Sequence, residues 1–173
     1  MAEAFIIMRI GDGALDKVYQ DVISPAMVAA GLTPRRVDQH NAGGLLHNEI
    51  AAFIERASVI VADLTDERPN CYLEVGYALG LGKSASLILC ARQDHQPDGA
   101  RHVPGGPKVH FDLGGYDVLY WDPDDLARYR HDLEARIRRR LAILSSVPAT
   151  GPWDESWLSA MRDRAQRELN RDV

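Results

Sequence analysis

Short aliphatic runs alternate along this chain with longer stretches in which apolar residues recur every three or four positions. Phe5–Met8 is the first apolar run and reads as a strand. A Gly11-Asp12-Gly13 turn leads into a helical pattern over Leu15–Ala30, with Val18, Val22 and Ile23 among its apolar positions. Pro25 inside that pattern predicts a kink or a split, and Gly31 closes it. Thr33–Val37 is a second short strand, with Arg35, Arg36 and Asp38 at or near its end. Gly43-Gly44 opens a helix to Arg56, placing Leu46, Ile50, Phe53 and Ala57 at core spacing. Val59, Ile60 and Val61 mark a third strand buried on both faces, which stops at the carboxylate of Asp63.

A polar loop, Thr65 to Arg68, follows that strand. Pro69 and Asn70 then signal a helix start, with Asn70 as the expected N-cap. This helix ends at Gly82, suited to a left-handed turn, and the cationic Lys83. Leu87–Cys90 and Val118–Trp121 are strands four and five, separated in part by a Pro- and Gly-rich loop over 92–108 without apolar period. Pro123–Leu144 is a long helix carrying Leu126, Leu133, Ile137 and Leu141, and an amphipathic helix is predicted from about Asp154 to Leu169.

Strands alternating with helices argue a doubly wound parallel sheet of five strands in the flavodoxin-like order 2-1-3-4-5. The division predicted is an α/β domain over 1–147 and a C-terminal helical extension over 148–173. A length of 173 residues suits one such domain. The net charge of −5 argues against a nucleic-acid polymer as partner, while leaving small anionic ligands open. No apolar run approaches the ~20 residues of a membrane span, and the N-terminus reads as a strand rather than a signal peptide. The two cysteines, Cys71 and Cys90, offer no disulfide framework, so the cytoplasm is the expected location. The six histidines lack metal-ligand spacing, and no metal is expected.

The stretch Ala62-Asp63, Tyr72-x-Glu74-x-Gly76-x-Ala78 and Gly82-Lys83 resembles the signature of the nucleoside 2-deoxyribosyltransferase-like superfamily. That group includes deoxyribosyltransferases and nucleotide N-glycosidases, and its fold is similar to that of TIR domains. The likeness extends over about residues 4–120 and is densest over 57–90. It implies that Glu74 is the nucleophile attacking the sugar carbon of an N-glycosidic bond, with no cofactor. It also implies an assisting aspartate, with Asp63 and Asp66 both open for that role. Relatives tend to carry an aspartate where this chain has Arg68, which puts base exchange in doubt and suits a phosphate or carboxylate better. Relatives also often carry a Phe-Asp-Leu-Arg-like stretch where this chain reads Phe111-Asp112-Leu113-Gly114, leaving Lys108 or His110 to stand in. Pairing of subunits, as a homodimer or larger, follows from the same resemblance.

From the residues alone, Glu74 has two readings: a first-turn glutamate offsetting the helix dipole, or a functional carboxylate at the ligand-binding edge of the sheet. Asp63 is either its acid/base partner in one shared crevice or a brace accepting N–H bonds from the turn. Gly76 and Gly80 leave a flat strip on which backbone can pack. Gly11 and Gly13 could present N–H groups to a phosphate, but the third glycine of a dinucleotide fingerprint falls at Asp16, and a tight turn is the simpler reading. Arg9 is either an anion holder or a surface charge. Asn70, Tyr72 and Tyr77 flank Glu74 as candidate substrate contacts, with core packing equally open to Tyr77. Cys71 is read as packing, and Arg136, Arg138, Arg139 and Arg140 as a solvated face. Gly82-Lys83-Ser84 is not a Walker motif, because position 77 is tyrosine and the order is helix to strand.

Together these point to an N-glycosidase acting on a nucleoside or nucleotide. The rivals are a TIR-like NAD-cleaving enzyme and a non-catalytic nucleotide-sensing module.

Overall fold

The computed structural model of the chain describes residues 2–39, 46–110, 113 and 115–146. Five parallel strands form one sheet in the order β2-β1-β3-β4-β5, as the alternating pattern predicts. They are β1 (Glu3–Ile7), β2 (Thr33–Arg35), β3 (Val59–Asp63), β4 (Leu87–Arg92) and β5 (Val118–Trp121). In register, Phe5 lies opposite Ile60, Ile60 opposite Leu87, and Leu89 opposite Val118. The central strand β3 is buried along its whole length, which its β-branched composition requires.

Alternate residues feed two separate cores. One face of the sheet, with Ile6, Val61, Cys90 and Trp121, packs on α1 (Gly13–Val18), α2 (Ser24–Ala29) and α5 (Leu126–Ser146). The other, with Phe5, Ile60, Ala62 and Leu89, packs on α3 (Leu46–Arg56) and α4 (Pro69–Gly80). Pro25 does not break its helix. A π turn over Tyr19–Ile23 joins α1 to α2, with the Ser24 N–H donating to Tyr19 O. Widening the turn just ahead of the proline accommodates a residue that lacks an N–H and crowds the preceding turn.

Three local expectations are corrected. Strand β2 ends at Arg35, because Val37–Gln39 turns as a 3-10 segment. The N-cap of α4 is Arg68, with Pro69 in the first helical turn, where its missing N–H costs nothing. A Cβ built on Gly76 or Gly80 would meet nothing within 4 Å, so the flat strip packs on no described element. Gly82 does adopt the left-handed conformation, φ 74°, as the helix stop requires. The helix expected over 154–169, the boundary at 148, Gly43-Gly44, and Phe111, Asp112 and Gly114 lie outside the described residues. Among the described residues no helix is long and apolar enough to cross a membrane.

Candidate active site

Strand β3 delivers Asp63 to the carboxyl edge of the sheet, but the side chain goes inward. Asp63 is 1 % exposed and shares a strand face with Val59 and Val61. Its Oδ1 accepts the Thr65 N–H at 2.9 Å and its Oδ2 accepts the Trp121 Nε1–H at 2.8 Å. Burial raises its pKa, while the bonds from Thr65 and Trp121 act in the opposite direction. The shared crevice expected for Asp63 and Glu74 is therefore corrected. Asp63 faces the α1, α2 and α5 side, whereas α4, which carries Glu74, packs on the opposite face.

Glu74 lies in the second turn of α4 and lines a cavity of about 380 Å³ between α3 and α4. One wall comes from Leu46, His47, Ile50, Ala51 and Ile54 of α3, the other from Asn70, Leu73, Glu74 and Tyr77 of α4. The size is that of a small-molecule site, and the wall is mostly apolar with a few polar groups, as such sites are. Glu74 has no hydrogen-bond or ion-pair partner among the described residues. Burial alone pushes its pKa up to about 7. Tyr77 belongs to the same cavity, and its hydroxyl donates to Glu55 at 2.7 Å. Asn70 lies one helical turn before Glu74 and completes the α4 wall.

The remaining predicted residues assemble elsewhere. Arg9 donates to Asp66 at 2.7 Å and lies 3.5 Å from Asp12, so its charge is already compensated. Gly11 takes φ 78° in the turn, and Gly13 begins α1, whose N–H groups at Ala14 and Leu15 are capped by Asp12 Oδ1. The tight-turn reading of this stretch fits that geometry. Arg68 is exposed at the start of α4 and does not line the cavity. Tyr72 accepts the His110 N–H at 3.3 Å, and its ring meets the His110 ring edge-on at 4.8 Å, outside the cavity. Cys71 is buried in the core, its thiol pushed up to about 12 by burial and by the nearby Glu74 and Asp63 charges.

Two histidines escaped the sequence reading. His95 is fully buried; its Nε2 accepts the Asp66 N–H at 2.8 Å and its Nδ1 lies 2.6 Å from Asp94 Oδ1. Because a backbone N–H can only donate, Nε2 is unprotonated and Nδ1–H donates to Asp94. Asp94, also held by Arg92, has its pKa kept down at about 2 against the upward effect of burial. This clamp holds a turn in which Asp66 (φ 67°) and Glu67 (φ 48°) are both left-handed. Such a conformation costs a non-glycine residue about 1–2 kcal/mol. Nothing in the Pro- and Gly-rich run around His95 signals it. His47 did carry a signal, because it heads the α3 stripe of Ile50, Ala51 and Ile54 at i+3, i+4 and i+7.

No protein-family model matches the chain, and no curated protein matches it. Among solved structures it is similar to a 2-desoxiribosyltransferase from Leishmania mexicana, at 19% identity and a TM-score of 0.50. That match covers 76% of this chain and 98% of the other. The chain thus has a deoxyribosyltransferase-like α/β fold.

Proposed function

We propose that the protein is an N-glycosidase that cleaves the base–sugar bond of a nucleoside or nucleotide, with Glu74 as nucleophile. The observation that carries the reading is a half-buried carboxylate, without a hydrogen-bond or ion-pair partner among the described residues, in the wall of a small-molecule-sized cavity. Breaking a base–sugar bond builds positive charge on the sugar ring. A carboxylate held in an apolar wall stabilises that charge more than one in water, and can attack the anomeric carbon. The fold shared with the 2-desoxiribosyltransferase supports the same class of substrate.

Asp63 takes the role of brace in this reading, because both its oxygens are engaged on the far side of the sheet. Asn70 and Tyr77 are the substrate contacts nearest the nucleophile. Arg9, Gly11, Gly13, Asp66, Arg68 and Tyr72, which do not line the cavity, are not substrate contacts in this reading. The protein acts as a homodimer in this proposal: Leu73, Tyr77 and Leu81 are exposed on α4 beside the open strip at Gly76 and Gly80. Light scattering giving a monomer at micromolar concentration would remove the dimer.

The test is base release, followed by chromatography, from nucleosides, 2′-deoxynucleosides, their 5′-monophosphates and NAD, with wild type beside Glu74→Gln. Free base from wild type alone supports the reading. Nicotinamide as the only product moves the assignment to NAD cleavage. Ligand-induced melting shifts without any product move it to a sensing module.

A further inference from the structure

We infer that His47 is the proton donor to the departing base, which assigns the site to nucleosides whose base is uncharged. The inference rests on the reading of Glu74 as nucleophile. A neutral purine or pyrimidine leaves badly as an anion and departs readily once a ring nitrogen is protonated. The cavity must therefore hold an acid as well as a carboxylate.

The described lining offers few groups for that task. Its polar side chains are His47, Asn70, Glu74 and Tyr77. An amide such as Asn70 gives up no proton. The Tyr77 hydroxyl already donates to Glu55, and that bond raises its pKa. Asp63 points away into the opposite core. His47 remains, and imidazole is the side chain best suited to give and take a proton near neutral pH. It has no hydrogen bond, ion pair or ring contact among the described residues, and it lines the cavity.

Its placement also fits. The helices α3 and α4 each precede or follow the same strand β3 and flank one cavity. His47 heads the apolar stripe on one wall, and Glu74 stands above Tyr77 on the other. A base–sugar bond lying between them has the nucleophile on one side and the donor on the other. In the first step a Glu74 oxygen bonds to C1′ and the C1′–N bond breaks. Its electron pair goes to the base, and His47 gives its proton to a base nitrogen. In the second step neutral His47 takes a proton from a water that attacks C1′. The ester breaks, Glu74 is again a carboxylate, and free sugar leaves.

The test varies the leaving group. Wild type, His47→Gln and Glu74→Gln are assayed on the ribonucleosides and 2′-deoxynucleosides with their 5′-monophosphates, on 4-nitrophenyl β-ribofuranoside and its 2-deoxy analogue, and on NAD. Nitrophenolate and nicotinamide leave without a proton. Loss of general acid catalysis lowers kcat/KM for base release from nucleosides at least ~100-fold in His47→Gln, while kcat/KM on the activated substrates, which reports the first step alone, changes by no more than about threefold. An equal loss on every substrate, or no loss on any, overturns the role of His47 and leaves Glu74 as nucleophile standing. Wild type releasing nothing from any substrate, indistinguishable from Glu74→Gln, overturns the parent reading and this inference together. His47 is exposed, so an unchanged melting temperature in His47→Gln is expected and checks folding.

Discussion

Asp63 and Glu74 are two carboxylates on consecutive elements, both with proton affinity raised by burial, and their surroundings are opposite. Asp63 sits in a core where a backbone N–H and an indole N–H occupy its oxygens. Glu74 sits in a cavity wall with no described partner. A satisfied buried carboxylate holds structure together, and removing it strands its donors. An unsatisfied one is a cost to the fold that a bound substrate can offset, which is why such groups mark sites.

The largest effect that separates the two is on turnover. Glu74→Gln should lower base release by at least about a thousandfold, as removal of a nucleophile does, with the urea midpoint unchanged or higher. Retained turnover in that variant would erase the contrast.

Next comes stability. Asp63→Ala leaves the Trp121 and Thr65 N–H groups unpaired in the core and should cost about 2–4 kcal/mol in urea unfolding. The activity of the molecules that remain folded should be kept. If Asp63→Ala instead folds normally and loses turnover, Asp63 belongs to the chemistry after all.

The pH dependence sharpens the comparison further. Burial raises the Glu74 pKa from the ordinary 4.5 to about 7, so the folded state binds this proton more tightly than the unfolded chain. Its contribution to stability is fully present below about 4.5 and is lost as pH rises to about 7. Wild type should therefore show a decline in unfolding free energy across that window which Glu74→Gln lacks. Turnover, which needs the ionised carboxylate, should rise through the same pH.

The smallest effect is expected at the mouth of the cavity. Tyr77→Phe removes a surface hydrogen bond to Glu55 and should barely change thermal or urea unfolding. Turnover should fall more than stability does, as a substrate contact requires, and an unchanged turnover would strike the Tyr77 hydroxyl from the contacts.

Much of the architecture was legible along the chain. The β-branched run ending at Asp63, the helix stop at Gly82 and the alternation of elements carry the sheet and its order, because strand and helix periodicity report burial locally. The mark on Glu74 was legible too, as a charged residue on an otherwise apolar helical stripe. His47 bore the same mark on α3, less visibly, since a histidine at the head of a helix is ordinary. The clamp of His95 on the Asp66 turn was not legible, because it joins groups distant in sequence.

What the chain determined by itself was the set of elements, their parallel order and the residue types carried on each apolar stripe. Strand parity even put Asp63 with Val59 and Val61. Only the tertiary structure decided that α4 covers the other face of the sheet, so that Asp63 is closed into one core while Glu74 and His47 line one cavity. Periodicity states which residues share a face; which faces meet depends on packing between elements far apart in the chain.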